Sequence, residues 1–182
     1  MIEAVLKGLG FGLLLSIAVG PVLFSIIKQS LNNGYRGGFA FVFGVFFSDI
    51  TLVLISNVFT QLFDSIRVYK NEVGIAGSAF LITMGIYFLF FKKVKVNEEG
   101  KQVFKFRKRD FAKIFASGFF MNSLNPGVFI FWITTSTAVI THSINERIII
   151  FATCLLFMVS SDTLKVMLAG KIRNRLTPHN IH

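Results

Sequence analysis

Long stretches of this sequence carry almost no charge on any face of a helix, and this feature constrains the fold more than any other. About 20 such residues cross the roughly 30 Å of hydrocarbon in a bilayer, whereas a helix in a water-soluble core keeps one polar face. Residues of the set AVILMFWYC make up 53% of the chain, and 23 residues are Phe. This composition lies outside the range of ordinary soluble domains, so the sequence predicts a membrane protein.

Five segments are long and apolar enough to cross a membrane: 5–27, 37–59, 74–91, 114–140 and 148–168. All five are predicted to be helices, because an apolar segment in lipid must pair its own backbone N–H and C=O groups. The fourth segment, of about 27 residues, would be about 40 Å long as a helix, which is too long for one untilted span. Asn125 and Pro126 lie near its middle, and we expect the helix to be broken there.

The Lys and Arg residues between the apolar segments predict the orientation of the chain. If the segments cross in alternate directions, fourteen of the 19 Lys and Arg residues lie on one side, four lie on the other, and Lys165 lies within a segment. The positive-inside rule then places the N-terminus outside and the basic loop 92–113 in the cytoplasm. Because the charges lie between apolar segments, the net charge of +10 does not indicate nucleic-acid binding.

Two parts of the chain resemble each other. The stretch GPVLFSI aligns with NPGVFIF, which matches Pro21 to Pro126, and SDITLVLI aligns with SDTLKVML, which matches Asp49 to Asp162. Each copy has a broken helix followed by a helix that carries Ser-Asp. A unit with an odd number of spans inserts its second copy in the opposite orientation.

The repeat predicts an all-α membrane protein, a polytopic helical bundle built as an inverted repeat of three-helix units. Residues 1–91 form the first unit, residues 92–113 form the basic cytoplasmic loop, and residues 114–182 form the second unit. The second unit ends after its second helix, so we expect the sixth helix to be absent from this chain.

Gly20, Pro21 and Pro126 are predicted to belong to a substrate site near the middle of the bilayer. Proline removes a backbone donor and clashes with the preceding turn. An unwound segment exposes N–H and C=O groups that can bind the polar or charged groups of a solute. One proline alone would indicate a simple kink, but two at matched positions of a repeat favour a functional break.

Asp49 lies near the centre of its predicted helix, where an unpaired carboxylate is costly. It is our leading candidate for a residue that titrates during transport or binds the amino group of a substrate. The alternative is an aspartate that a serine or a helix terminus pairs purely for packing. Trp132 needs no function beyond packing and interface anchoring.

Two further pairs of polar residues lie within the apolar segments. Asp162 and Lys165 are three residues apart on one helix face, so they can neutralise each other or bind a zwitterion together. Asn122 and Asn125 flank the second break, where they can satisfy the freed backbone or bind a solute. Both alternatives remain open for each pair.

Three stretches carry a resemblance to a known family: GFGLLLSIAVGP, NNGYRGGFAFVFGVFFSD and FFMNSLNPGVFIFW. With them the chain resembles the lysine exporter (LysE/RhtB) superfamily, whose members have a P-G-P motif in the first helix and an N-P-K motif at the start of the fourth. Val19 replaces the first proline of P-G-P here, and Gly127 replaces the lysine of N-P-K.

The resemblance covers nearly the whole chain and implies a six-helix secondary transporter in the bacterial inner membrane. Such a transporter would export amino acids or similar small metabolites by alternating access, driven by an ion gradient. We expect a proton as the coupling ion and contact with membrane lipid, and the resemblance also allows a homo-oligomer.

Two other functions compete with transport. Asp49 and Asp162 could share a proton and activate water, as in an intramembrane aspartyl protease, but neither has the Tyr-Asp or Gly-x-Gly-Asp setting of such proteases. A non-transporting membrane adaptor would explain the basic loop but would leave Asp49 without a role. The sequence has no cluster of metal ligands, and we predict neither enzymatic activity nor a cofactor.

Overall fold

The computed structural model of the chain describes residues 1–18, 20–65 and 108–175, and nearly all of these residues are helical. No strand occurs among them. The predicted span 74–91, most of the basic loop 92–113, Val19 and residues 176–182 lie outside the described residues. The described ranges confirm the predicted fold class, an all-α membrane protein.

The described ranges contain the helices α1 (Ile2–Ile17), α2 (Pro21–Ser65), α3 (Lys108–Ser123), α4 (Pro126–Ala138) and α5 (Ile144–Arg175). By length and composition, the range Pro21–Thr60 of α2 contains a segment that can cross a membrane, and α5 can cross it over Ile144–Ile172. α3 and α4 qualify together as a third span, which is bent by 62° at the break between them.

Both predicted breaks are present in the structure. α1 ends at Ile17 and α2 begins at Pro21, while α3 ends at Ser123 and α4 begins at Pro126. Proline is favoured at the first position of a helix because the N–H group it lacks would have no acceptor within the helix. Each proline therefore starts a new helix, and the order of elements is the same in the two parts of the chain.

α2 consists of two helical segments joined by a sharp turn at Gly34. Gly34 has φ 67° and ψ −168°, a conformation that residues with a Cβ rarely adopt. If residues 29–37 formed one straight helix, Gln29 and Gly37 would be about 12 Å apart along its axis. Instead, a Cβ added to Gly37 would lie only 3.0 Å from the carbonyl oxygen of Gln29. The chain therefore reverses at Gly34, and helix replaces most of the loop expected between the first two predicted spans.

The first helix of each part packs on the long helix of the other part. α1 packs mainly against α5, and α3 packs mainly against α2. A Cβ added to Gly12 would lie 3.0 Å from Phe157 of α5, and one added to Gly44 would overlap the backbone of Phe115 in α3. Glycine thus allows the close approach of helix backbones that is common in membrane proteins.

Two clusters of buried apolar side chains hold the helices together. One surrounds Trp132 and joins α1, α2, α4 and α5, and the other surrounds Phe41 and joins α2, α3 and α5. Val128 and Met158 of the first cluster and Ile26 and Val45 of the second line the same cavity. The cavity therefore lies between the two clusters.

Candidate functional site

A cavity of about 410 Å³ lies at the two helix breaks. Its lining from the two breaks comprises Ser16, Ala18, Gly20, Pro21, Asn122, Asn125 and Gly127. Pro126 does not line the cavity itself. It is the first residue of α4, and the next residue, Gly127, lines the cavity. Small-molecule sites in proteins typically have volumes of about 300–1,000 Å³, so a small solute fits here.

Asp162 and Lys165 of α5 are the charged residues among those that line the cavity in the described part of the chain. Lys165 Nζ lies 2.7 Å from Asp162 Oδ1 and donates to the main-chain oxygen of Ser16 at 3.1 Å. Ser16 is in the last turn of α1, where carbonyl groups have no intrahelical donor and form the negative end of the helix dipole. The Lys165 ammonium group therefore has two acceptors, one on α5 and one on α1.

The Asp162–Lys165 ion pair is largely removed from solvent. The exposed fractions of the two side chains are 11% for Asp162 and 22% for Lys165. Burial of an ion pair costs desolvation energy that good geometry has to recover, and loss of one partner leaves an uncompensated charge. The pair is therefore poor evidence for a purely stabilising role, and Asp162, the less exposed of the two, needs a cation beside it.

The start of α2 forms another wall of the cavity. Gly20, Pro21, Val22 and Leu23 line it, and the N–H group of Phe24 donates to the Gly20 carbonyl oxygen at 3.3 Å. The N–H groups of Val22 and Leu23 come before this bond and have no acceptor within the helix. A helix start favours anions, so this wall is suited to a carboxylate, while the Asp162 carboxylate and the Ser16 carbonyl oxygen are suited to an ammonium group.

Asn122 and Asn125 act differently at the second break. Asn125 Oδ1 accepts a hydrogen bond from the Gly127 N–H group at 3.1 Å and caps α4. Asn122 Nδ2 donates to Asp49 Oδ1 at 2.8 Å and to Ser48 Oγ at 3.1 Å. Asn125 therefore satisfies the freed backbone, while Asn122 connects the cavity wall to α2.

Asp49 lies behind the cavity wall and does not itself line the cavity. The residue is 2% exposed, and its Oδ1 atom accepts hydrogen bonds from Asn122 and from Trp132 Nε1, the latter at 3.0 Å. Packing alone was expected for Trp132, so the sequence did not reveal this bond. A buried indole N–H group usually finds an acceptor, but only the fold shows that the acceptor is Asp49.

Asp49 and Asp162 both border a narrow gap between α2 and α5. Val45, Met158 and other apolar side chains also line this gap, which leaves no room for a water molecule in the described part of the chain. An aspartyl protease needs a water molecule between its two carboxyl groups. The arrangement of the two aspartates therefore does not favour the protease alternative.

Comparison with known proteins supplies the family. A family model for the LysE type translocator matches residues 13–176, a range that contains both breaks, Asp49 and the Asp162–Lys165 pair. No curated protein and no solved structure matches the chain. The family match confirms the resemblance that the motifs indicate, and because it covers most of the 182 residues, the chain belongs to the LysE type translocator family.

Proposed function

We propose that this protein is a secondary transporter that exports amino acids or similar small metabolites across the bacterial inner membrane by alternating access. The observation that carries the proposal is the cavity between two helix breaks, which has acceptors for a cation on one side and a helix start on another. Membership of a translocator family supports a small-molecule substrate.

The two charged groups of an amino acid match the polar walls of the cavity. The Asp162 carboxylate and the Ser16 carbonyl oxygen, which now bind Lys165, are suited to the ammonium group. The N–H groups in the first turn of α2, which have no acceptor within the helix, are suited to the carboxylate. Ile26, Val45 and other apolar lining residues would then contact the side chain of the solute.

We assign the coupling proton to Asp49, which acts on the solute through Asn122. Two neutral groups, the Asn122 amide and the Trp132 indole, donate to Asp49 Oδ1. Protonation of Asp49 would weaken its attraction for these donors, since a neutral carboxyl group accepts weaker hydrogen bonds than a carboxylate. Asn122 also lines the cavity, so a change at Asp49 would alter a wall that the solute contacts.

The distribution of cations supports an external N-terminus. Lys28, Arg36 and Lys113 lie near the Gly34 end of the bundle, whereas Lys7 and Arg147 lie near the end where α1 and α5 begin. By the positive-inside rule, the Gly34 end faces the cytoplasm.

Efflux from liposomes tests the proposed function. The purified full chain is reconstituted into liposomes loaded with a radiolabelled mixture of the common amino acids, and efflux is followed with and without a pH gradient. We expect efflux above that of protein-free liposomes, with a loss of about tenfold or more in Asp162→Asn, because hydrogen bonds to charged groups contribute about 1.5–3 kcal/mol.

Glu3→Gln is the matched control for this experiment, since Glu3 is an exposed carboxylate at the start of α1. It should transport at nearly the wild-type rate. Gel filtration in detergent checks that each variant is folded and monodisperse. If the wild-type chain moves no amino acid in either condition, the proposed substrate class is wrong.

A further inference from the structure

We propose that Lys165 is a tethered stand-in for the ammonium group of the solute: when the cavity is empty, its side chain occupies the acceptors that the solute takes when it binds. This inference rests on the proposed function and adds a mechanism for the return of the empty transporter. Its basis is the placement of one side-chain cation on two acceptors in the lining of the cavity.

Acceptors left without a cation would be costly for this protein. The Asp162 side chain is 11% exposed, and the Ser16 carbonyl group belongs to the last turn of α1. A buried carboxylate without a partner is strongly unfavourable, and an unpaired carbonyl group in lipid is also costly. A transporter that releases its solute and moves back empty would have to leave both groups unpaired, unless another cation replaces the solute.

Lys165 can supply this cation without leaving the protein. Its ammonium group binds both acceptors at 2.7 and 3.1 Å, while its flexible stem lets the group move into the adjacent cavity. An amino acid that brings its own ammonium group displaces Lys165 from Asp162. The number of positive charges on the acceptors is therefore one in both the loaded and the empty state.

Exchange and net efflux differ in whether the acceptors are ever without a solute. In exchange, the transporter moves loaded in both directions, so the acceptors always have a cation from a solute. In net efflux, the transporter must return empty, and only then does Lys165 have to occupy the acceptors. A stand-in is thus required for net efflux and dispensable for exchange.

The test compares these two modes in the same liposomes. Vesicles loaded with the radiolabelled amino-acid mixture are diluted either into buffer without amino acids, which measures net efflux, or into buffer with the unlabelled mixture, which measures exchange. We expect Lys165→Gln and Lys165→Met to lower the ratio of net efflux to exchange by at least about tenfold. Because both modes use the same molecules, a lower yield of folded protein does not change the ratio.

Two controls define the role of the charge. Lys165→Arg keeps a cation and should retain most of the wild-type ratio, while Lys171→Gln removes an exposed cation from the same helix and should leave it unchanged. If the neutral variants lower net efflux and exchange by the same factor, or lower neither, Lys165 is no stand-in and this inference is wrong. Absence of both modes in the wild-type chain would instead overturn the proposed function itself.

Discussion

Asp49 is a carboxyl group buried between helices that receives hydrogen bonds from two neutral donors. Asn122 and Trp132 come from the two sides of the second break, so Asp49 ties both α3 and α4 to α2. Ser48, the preceding residue, extends this network through a 2.7 Å contact with Ser123 Oγ. The Ser-Asp pair of the first copy therefore fixes the position of the second break.

At this scale we predict that Trp132→Phe removes a hydrogen bond and leaves the packing nearly intact. The ring contacts of Trp132 with Phe131 and Phe151 can be kept by a phenyl group, but the indole N–H group that binds Asp49 is lost. The free energy of unfolding should fall by about 1–3 kcal/mol, as measured by thermal or denaturant unfolding in detergent micelles.

A double-mutant cycle with Asp49→Asn separates this hydrogen bond from other effects of the Trp132 substitution. If the bond matters, the two changes are not additive, since contacting residues show interaction energies of about 0.5–3 kcal/mol. Additive effects would mean that the bond between Trp132 and Asp49 contributes nothing to stability.

Asp49 could be recognised from the sequence, but its surroundings could not. A carboxylate within an apolar segment stands out because a bilayer makes it expensive. Its partners are 73 and 83 residues away in the chain, and hydropathy carries no information about which helices meet. For the same reason, the spacing of Asp162 and Lys165 allows an ion pair between them as one of two alternatives, while the bond from Lys165 to Ser16 depends on the packing of α1 against α5.

At the scale of helices, glycine positions determine how closely the two parts of the chain approach. A Cβ added to Gly44 of α2 would overlap the backbone of Phe115 in α3, and one added to Gly118 of α3 would overlap the backbone of Phe41. The two glycines face each other's helices, so α2 and α3 are in backbone contact. Backbone atoms cannot move aside as a side chain can, which makes this crossing sensitive to any added atom.

We predict that Gly44→Ala destabilises the protein although alanine is the better helix former. Alanine in a helix is favoured over glycine by about 1 kcal/mol, but overpacking at a tight contact costs about 1–3 kcal/mol. The matched control is Gly10→Ala in α1, where an added Cβ meets nothing within 4 Å. Unfolding in detergent should therefore occur at lower temperature for Gly44→Ala and at an unchanged or higher temperature for Gly10→Ala.

The proline residues indicate local structure from the sequence more directly than the glycine residues do. Pro21 and Pro126 predict helix breaks because a missing N–H group has a direct local effect, and in the structure each proline begins a new helix. The turn at Gly34 is local too, yet NNGYRGG offers three glycines, and the sequence does not show which of them adopts a positive φ. Gly37 and Gly38 instead provide space for the neighbouring helical segment and for Val166.

At the scale of the whole molecule, the two ends of the bundle differ in polar chemistry. At the end where α1 begins, Lys7 Nζ contacts His142 Nε2 at 2.8 Å, and the Arg147 guanidinium donates to the Asn57 side-chain oxygen. These contacts link α1, α2 and α5 with the turn that follows α4. In the described part of the chain, Arg147 at this end is bound by a neutral group and Lys7 also forms an ion pair with Glu3 at 2.7 Å, whereas the exposed Lys28 and Lys171 lie toward the Gly34 end.

This asymmetry leads to a prediction about orientation that two single cysteines can test. Thr141, in the turn between α4 and α5, and Lys171, near the end of α5, are both exposed and lie at opposite ends of the bundle. By the positive-inside rule, Thr141→Cys should react with an impermeant maleimide added to intact cells, and Lys171→Cys should react only after the membrane is opened. The native Cys154 is buried, so the unmodified chain serves as the background control. Labelling of Lys171→Cys but not of Thr141→Cys in intact cells would reverse the orientation, and the cavity would then need to load its solute from the opposite face of the bundle.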